Sequence, residues 1–206
     1  MMIRAFSLRR NRAALRRLAR RLAHGQRGVA AIEFAFVLPV MLTAYFGIVE
    51  IGQGVMADRK VTQLTRALGD LASQSTTLST DGINDIFNAA KTIMMPYTDS
   101  PPSMTISSII IDAGGTARVC WSEQSNSTAL ARGATVTIPA ALKVPGTSLI
   151  MAKASYNFVP AIGYLMTGAV TLGNDPMYMR PRTGSVGGTE NIEQVERVGR
   201  ALCPNF

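Results

Sequence analysis

VAAIEFAFVLPVMLTAYFGIV, residues 29–49, is a run of twenty-one residues with a single charge, Glu33. As a helix it extends about 31 Å, which matches the hydrocarbon thickness of a bilayer. The stretch reads as a transmembrane helix, and everything else in the chain is placed relative to it. Pro39 lies inside the span, where packed neighbours and local adjustment tolerate proline, and it predicts a kink.

Charge gives the span a direction. Residues 1–27 hold nine arginines and no acid, whereas only Arg59 and Lys60 follow the span closely. Positive charge stays on the cytoplasmic side, so the expected topology is single-pass, with the N-terminus in the cytoplasm and residues from about Glu50 onward outside. Leu8, Leu15, Leu18 and Leu22 recur at helical intervals among the arginines. The arm therefore reads either as an amphipathic segment lying on an anionic leaflet or as a solvated arm. A mitochondrial presequence is also arginine-rich and acid-free, but it does not normally run straight into a full-length span.

The arm also explains the net charge of +8 on 206 residues, because the remainder carries 12 basic against 13 acidic side chains. No basic domain is present, and no nucleic-acid partner is expected. Hydrophobic residues at 47% against 17% charged argue for a folded body, and two cysteines exclude a disulfide-dense scaffold.

Glu33 needs a reason, since a carboxylate inside an apolar segment is costly at mid-bilayer and cheaper near the interface. Two readings stand on physics alone. One is an acid favoured by the helix macrodipole and reaching the headgroups; the other is a functional carboxylate.

The surrounding residues Arg27-Gly28-Val29-Ala30-Ala31-Ile32-Glu33-Phe34 resemble a type IV prepilin signal. The run continuing through Pro39 to Phe46-Gly47-Ile48-Val49-Glu50 is similar to the N-terminal segment of TadE-like proteins, pseudopilins of the tight-adherence (Flp, type IVb) pilus machinery. The likeness covers roughly residues 27–54. It implies that a membrane-embedded prepilin peptidase cuts after Gly28, leaving Val29 as the new N-terminus with the anchor retained. Gly28 lets the backbone extend into a protease cleft. The resemblance further implies that Glu33, with Phe34 beside it, pairs with the N-terminal amine of a neighbouring subunit. The amine of its own chain is an alternative, because Val29 and Glu33 are four apart on one helix. The implied partners are the prepilin peptidase, other pilins and pseudopilins, inner-membrane pilus assembly proteins and membrane lipid.

Beyond the span, Val61, Leu64, Leu68 and Leu71 mark one face of an amphipathic helix, with Gly52 and Gly54 read as a joint rather than as close-packing points. Thr80 or Asp81 is expected to cap a second helix with Ile83, Ile86, Phe87, Ala90 and Met94 on one side, ended by Pro96. A hairpin is expected from Met104–Asp112 and Ala117–Ser122 around Ala113-Gly114-Gly115-Thr116. Thr135–Ile138 and Leu149–Val159 read as further strands, the latter alternating so that one face is wet. Ala161–Leu172 is apolar but too short to span, and is read as core or lipid-proximal surface. Gly184–Gly188 reads as a loop, and Thr189 as the cap of a last helix pairing Glu193 with Arg197 and Glu196 with Arg200. Arg180 and Arg182 are read as contacts to another pilus component.

The expected fold class is α+β, a long N-terminal transmembrane helix continuing into an extracytoplasmic helix packed on a small antiparallel sheet. The expected division is residues 1–28 as cytoplasmic leader, 29–51 as membrane helix and 52–206 as extracytoplasmic domain. Cys120 and Cys203 both fall outside the cytoplasm, where an even count favours a disulfide. Closing a loop of about 83 residues stabilises by about 4.5 kcal/mol on the chain-entropy model.

The only histidine, His24, is on the arm, so the outer domain offers no imidazole for a catalytic pair or a metal. No enzymatic activity, cofactor or metal is expected. The resulting expectation is a TadE-like minor pseudopilin of the bacterial inner membrane with a periplasmic domain. Two alternatives stay open: an uncleaved membrane-anchored scaffold, and a secreted binding protein cut by signal peptidase after Val55-Met56-Ala57.

Overall fold

The computed structural model describes residues 28–97, 99–160, 163 and 167–204. The arginine arm with its leucines and His24, and residues 161, 162 and 164–166 of the apolar Ala161–Leu172 stretch, lie outside the described residues. The chain divides into two units, residues 1–49 and 50–206.

Helix α1 (Val29–Gln74) has Pro39 inside it. Its Ala57, Val61, Leu64, Leu68 and Ala72 are fully buried or nearly so, an apolar stripe in steps of three and four residues. The stripe ends on Ala72 rather than on the expected Leu71, which is 36% exposed. Gly52 and Gly54 are both helical, in place of the expected joint, and Gly54 is buried. Where α1 meets the sheet it does so closely: a Cβ on Gly69 would lie 3.0 Å from Met179 Sδ and 3.3 Å from Ala152 Cβ.

Strand β1 (Thr77–Leu78) leads to α2 (Thr80–Ile93). The cap of α2 is Ser79, one residue before the expected cap, because its hydroxyl accepts the Gly82 amide at 3.1 Å. Ile83, Ile86, Phe87 and Ala90 are buried on α2, as expected from their spacing, and Met94 follows them into the core.

The main sheet is antiparallel throughout, ordered β3-β2-β4-β5 with β6 also on β4. The hairpin of β2 (Ser103–Ile111) and β3 (Ala117–Ser125) forms about the expected turn, with a register shift at Ser108/Ile109. Strand β4 (Thr147–Phe158) is central. It pairs β2 along one edge, and along the other first β6 (Met177–Met179) and then β5 (Val170–Gly173). Between those two pairings Asn174 donates its amide to Ala154 O at 2.8 Å.

The wet face expected of β4 is confined to its end, at Lys153, Ser155 and Asn157. Nearer its start Leu149 and Met151 join a second apolar cluster with Ile109, Ile111, Ala117 and Ile138. The expected strand Thr135–Ile138 is reduced to one bridge, Arg118 to Thr135. Its Val136 and Ile138 serve as a lid on that second cluster, and Pro139 has no amide to continue a ladder.

The expected last helix is absent. Residues 184–188 contain strand β7 (Ser185–Gly187), which pairs antiparallel with β8 (Ile192–Gln194), and β9 (Glu196–Arg197) pairs parallel with β1. Tertiary bonds override the local helical pattern here: Val198 and Glu196 donate their amides to Leu78 O and Thr76 O, and Ser148 donates its hydroxyl to Glu193 O at 2.6 Å. Gly188, at φ +75°, allows the chain to pass against Cys203, whose carbonyl a Cβ there would strike.

Candidate functional site

The apolar segment of α1 is defined by what it leaves uncovered. Ile32, Phe34, Phe36, Val40, Met41, Tyr45 and Ile48 are each at least 60% exposed, and they surround the helix. An all-round apolar helix is stable only against lipid or other apolar helices. By length and composition it is able to cross a membrane. Val29 is the first residue of α1, so Val29 and Glu33 stand one turn apart on one face. Among the described residues the Glu33 side chain forms no hydrogen bond or ion pair, and Phe34 beside it is 63% exposed. Gly28 precedes the helix with open space where a side chain would be. Pro39 removes one amide from the helix ladder ten residues beyond Val29. The expected site residues therefore share one exposed apolar segment, with Glu33 as its one charge.

The cysteines meet elsewhere. Cys120 on β3 and Cys203 form a disulfide with Cα atoms 5.8 Å apart, closing a separation of 83 residues. Around it the final segment is tied by side chains. Gln194, fully buried, donates to Cys203 O at 2.6 Å and accepts the Cys203 amide at 2.9 Å. Trp121 Nε1 donates to Val195 O at 2.8 Å, and Arg132 donates to Ala201 O at 3.0 Å. The disulfide thus holds a strand-and-loop terminus against the sheet, in place of the expected helix.

Arg197 shows what the helical reading of this segment missed. It is 9% exposed and pairs with Glu123 at 2.9 Å rather than with Glu193. Its remaining donors reach Leu78 O at 3.2 Å and Thr80 Oγ1 at 3.0 Å, so one guanidinium joins β3, β1, α2 and β9. Its planar five-donor head suits such a junction. Arg182 pairs with Asp70 of α1 and donates its backbone amide to Ser73 O at 2.9 Å, which ties the segment after β6 to the helix, while Arg180 stays exposed. No spacing rule signals partners so distant in sequence. Among the described residues no group of three or more His, Cys, Asp or Glu side chains is placed to hold a metal.

The family model of the TadE-like protein matches residues 28–69. No curated protein and no solved structure matches the chain. From Gly28, along the apolar segment with Glu33 and Pro39, and into the buried stripe as far as Gly69, the chain is similar to the TadE-like family.

Proposed function

We propose that this protein is a non-enzymatic minor pseudopilin, anchored in the bacterial inner membrane with residues 50–206 in the periplasm and matured by a prepilin peptidase that cuts after Gly28. The observation that carries the reading is the segment 29–49, apolar and exposed on every side, with its one carboxylate a turn from Val29. Cleavage frees a cationic amine at Val29. In hydrocarbon an unpaired carboxylate is costly, so Glu33 gains from an amine, and pairing with the amine of an adjacent subunit sets the axial register between packed helices. Removal of nine arginines takes away a charge cluster that would repel its copies in a bundle.

Cutting after Ala57 fits less well. Ala57 is fully buried in the core of the outer unit, and such cleavage would remove it together with buried Gly54. Cleavage after Gly28 leaves every described core residue in place. An uncleaved scaffold differs only in keeping the arm.

The test separates maturation from assembly in the native host. Gly28 has open space around it, so Gly28→Leu blocks cleavage without a steric clash in the protein. Glu33→Ala leaves cleavage intact and abolishes pilus assembly. Full piliation with Glu33→Ala overturns the pairing role, and an unchanged product size with Gly28→Leu overturns the cleavage site.

A further inference from the structure

A cleft of about 310 Å³ lies wholly within the outer unit, on the sheet face away from the helices, between β4, the bend at Asn174 and the loop after β3. Its chemistry is lopsided. Lys153 lines it, and no carboxylate does. Among the described residues the side chains of Lys153, Ser155, Asn174 and Tyr178 make no hydrogen bond or ion pair, although Lys153 and Ser155 are half-buried. An ammonium in a cleft whose lining holds no carboxylate is open to pairing with an anionic ligand. Thr105 and Ser127 add hydroxyls joined to each other at 3.0 Å. Met151 and the ring of Tyr178 give the cleft an apolar side. Burial pushes the Tyr178 hydroxyl above its ordinary value of 10.0, so it stays protonated and able to donate well past neutral pH.

The arrangement is built, not incidental to a loose loop. Asn174 sits at φ +89°, a conformation few side chains adopt, and its amide is bonded to Ala154 O at the interval between β6 and β5. That interval leaves Lys153 of β4 without a partner residue on this edge, while Ser155 faces Gly173, which has no side chain to cover it.

From one cation, several groups that both donate and accept, and an apolar side, the geometry points to a binding site for an acidic sugar of uronic-acid size. The carboxylate of such a ligand meets Lys153, its hydroxyls meet Ser155, Asn174 and the Thr105–Ser127 pair, and its C–H face lies on Met151 and Tyr178. A volume near the lower bound for small-molecule pockets admits about one monosaccharide. A peptide carboxylate would satisfy Lys153 and leave most of the hydroxyl groups unused. This site is independent of the membrane segment and of its processing.

The test is saturation-transfer NMR on the full chain in a sugar-free zwitterionic detergent, with D-glucuronate, D-glucose and acetyl-glutamate amide as probes. Glucuronate is expected to receive saturation from the irradiated protein, with glucose binding weaker by about tenfold, the value of one charge-assisted bond. Lys153→Gln, whose fold is checked by Trp121 fluorescence, is expected to remove that preference and weaken glucuronate by about tenfold. Absence of saturation transfer from the wild-type protein to glucuronate overturns the proposal, as does an unchanged glucuronate affinity in Lys153→Gln. Acetyl-glutamate amide binding as well as glucuronate also overturns it, by showing a site for peptide carboxylates.

Discussion

Helix α1 contains two sequences with opposite logic. In residues 29–49 apolar side chains occur all round, and nearly all are exposed; from Ala57 to Ala72 all but Ala67 and Leu71 lie on one buried stripe, with Asp58, Arg59, Gln63 and Arg66 on the surface. The secondary structure is the same, and the surroundings that each sequence suits differ. A stripe is what a helix needs when one side meets a protein core and the other meets water. Uniform apolarity is what it needs when every side meets hydrocarbon or another helix, and there backbone groups must be satisfied within the helix itself. A single helix thus records the boundary between two environments, and Glu50, 1% exposed, is the first residue of the outer unit.

The comparison can be broken from the outer side first. Trp121, the only tryptophan and 2% exposed, reports unfolding of residues 50–206 without interference from the apolar segment. Replacing both Cys120 and Cys203 by Ala should lower the stability read by its fluorescence by about 4 kcal/mol, through the freed loop of the unfolded chain. Leu68→Ala, in the buried stripe, should cost about 3 kcal/mol in a denaturant titration. Arg197→Met should cost about 2.5 kcal/mol, because it leaves Glu123 without its ion pair and takes a donor from Leu78 O and from Thr80 Oγ1; an unchanged midpoint would remove Arg197 as a junction. Ser79→Ala should cost about 1 kcal/mol through loss of the α2 cap. Smallest of all, Phe36→Ala, at a side chain 77% exposed, should leave the Trp121 transition within about 0.5 kcal/mol of wild type. If Phe36→Ala destabilised the outer unit as much as Leu68→Ala, the two halves of α1 would not be energetically separate.

Legibility in the sequence follows the range of the interactions. Both helices are readable because their stripes repeat locally, and the β2–β3 hairpin because β-branched runs flank Gly114-Gly115. The disulfide follows from two cysteines on one side of a span. The last segment misleads because Glu193/Arg197 and Glu196/Arg200 have helical spacing, while the bonds that decide its shape run from Arg197 to Glu123 and from Gln194 to Cys203. Thr135–Ile138 fails in a similar way: its apolar residues are used to cover a cluster rather than to extend a ladder. Within the candidate segment, the placing of Val29, Glu33 and Pro39 on one helix directly after Gly28 is legible because it depends only on order along the chain. The cleft at Lys153 is not, because four separate chain segments assemble it.

The account rests most heavily on the fate of the arginine arm, and the most direct measurement is the N-terminal residue and intact mass of the protein recovered from membranes of its native host. The account predicts a membrane-bound chain beginning at Val29. A chain beginning at Met1, or a soluble product beginning at Asp58, would contradict it.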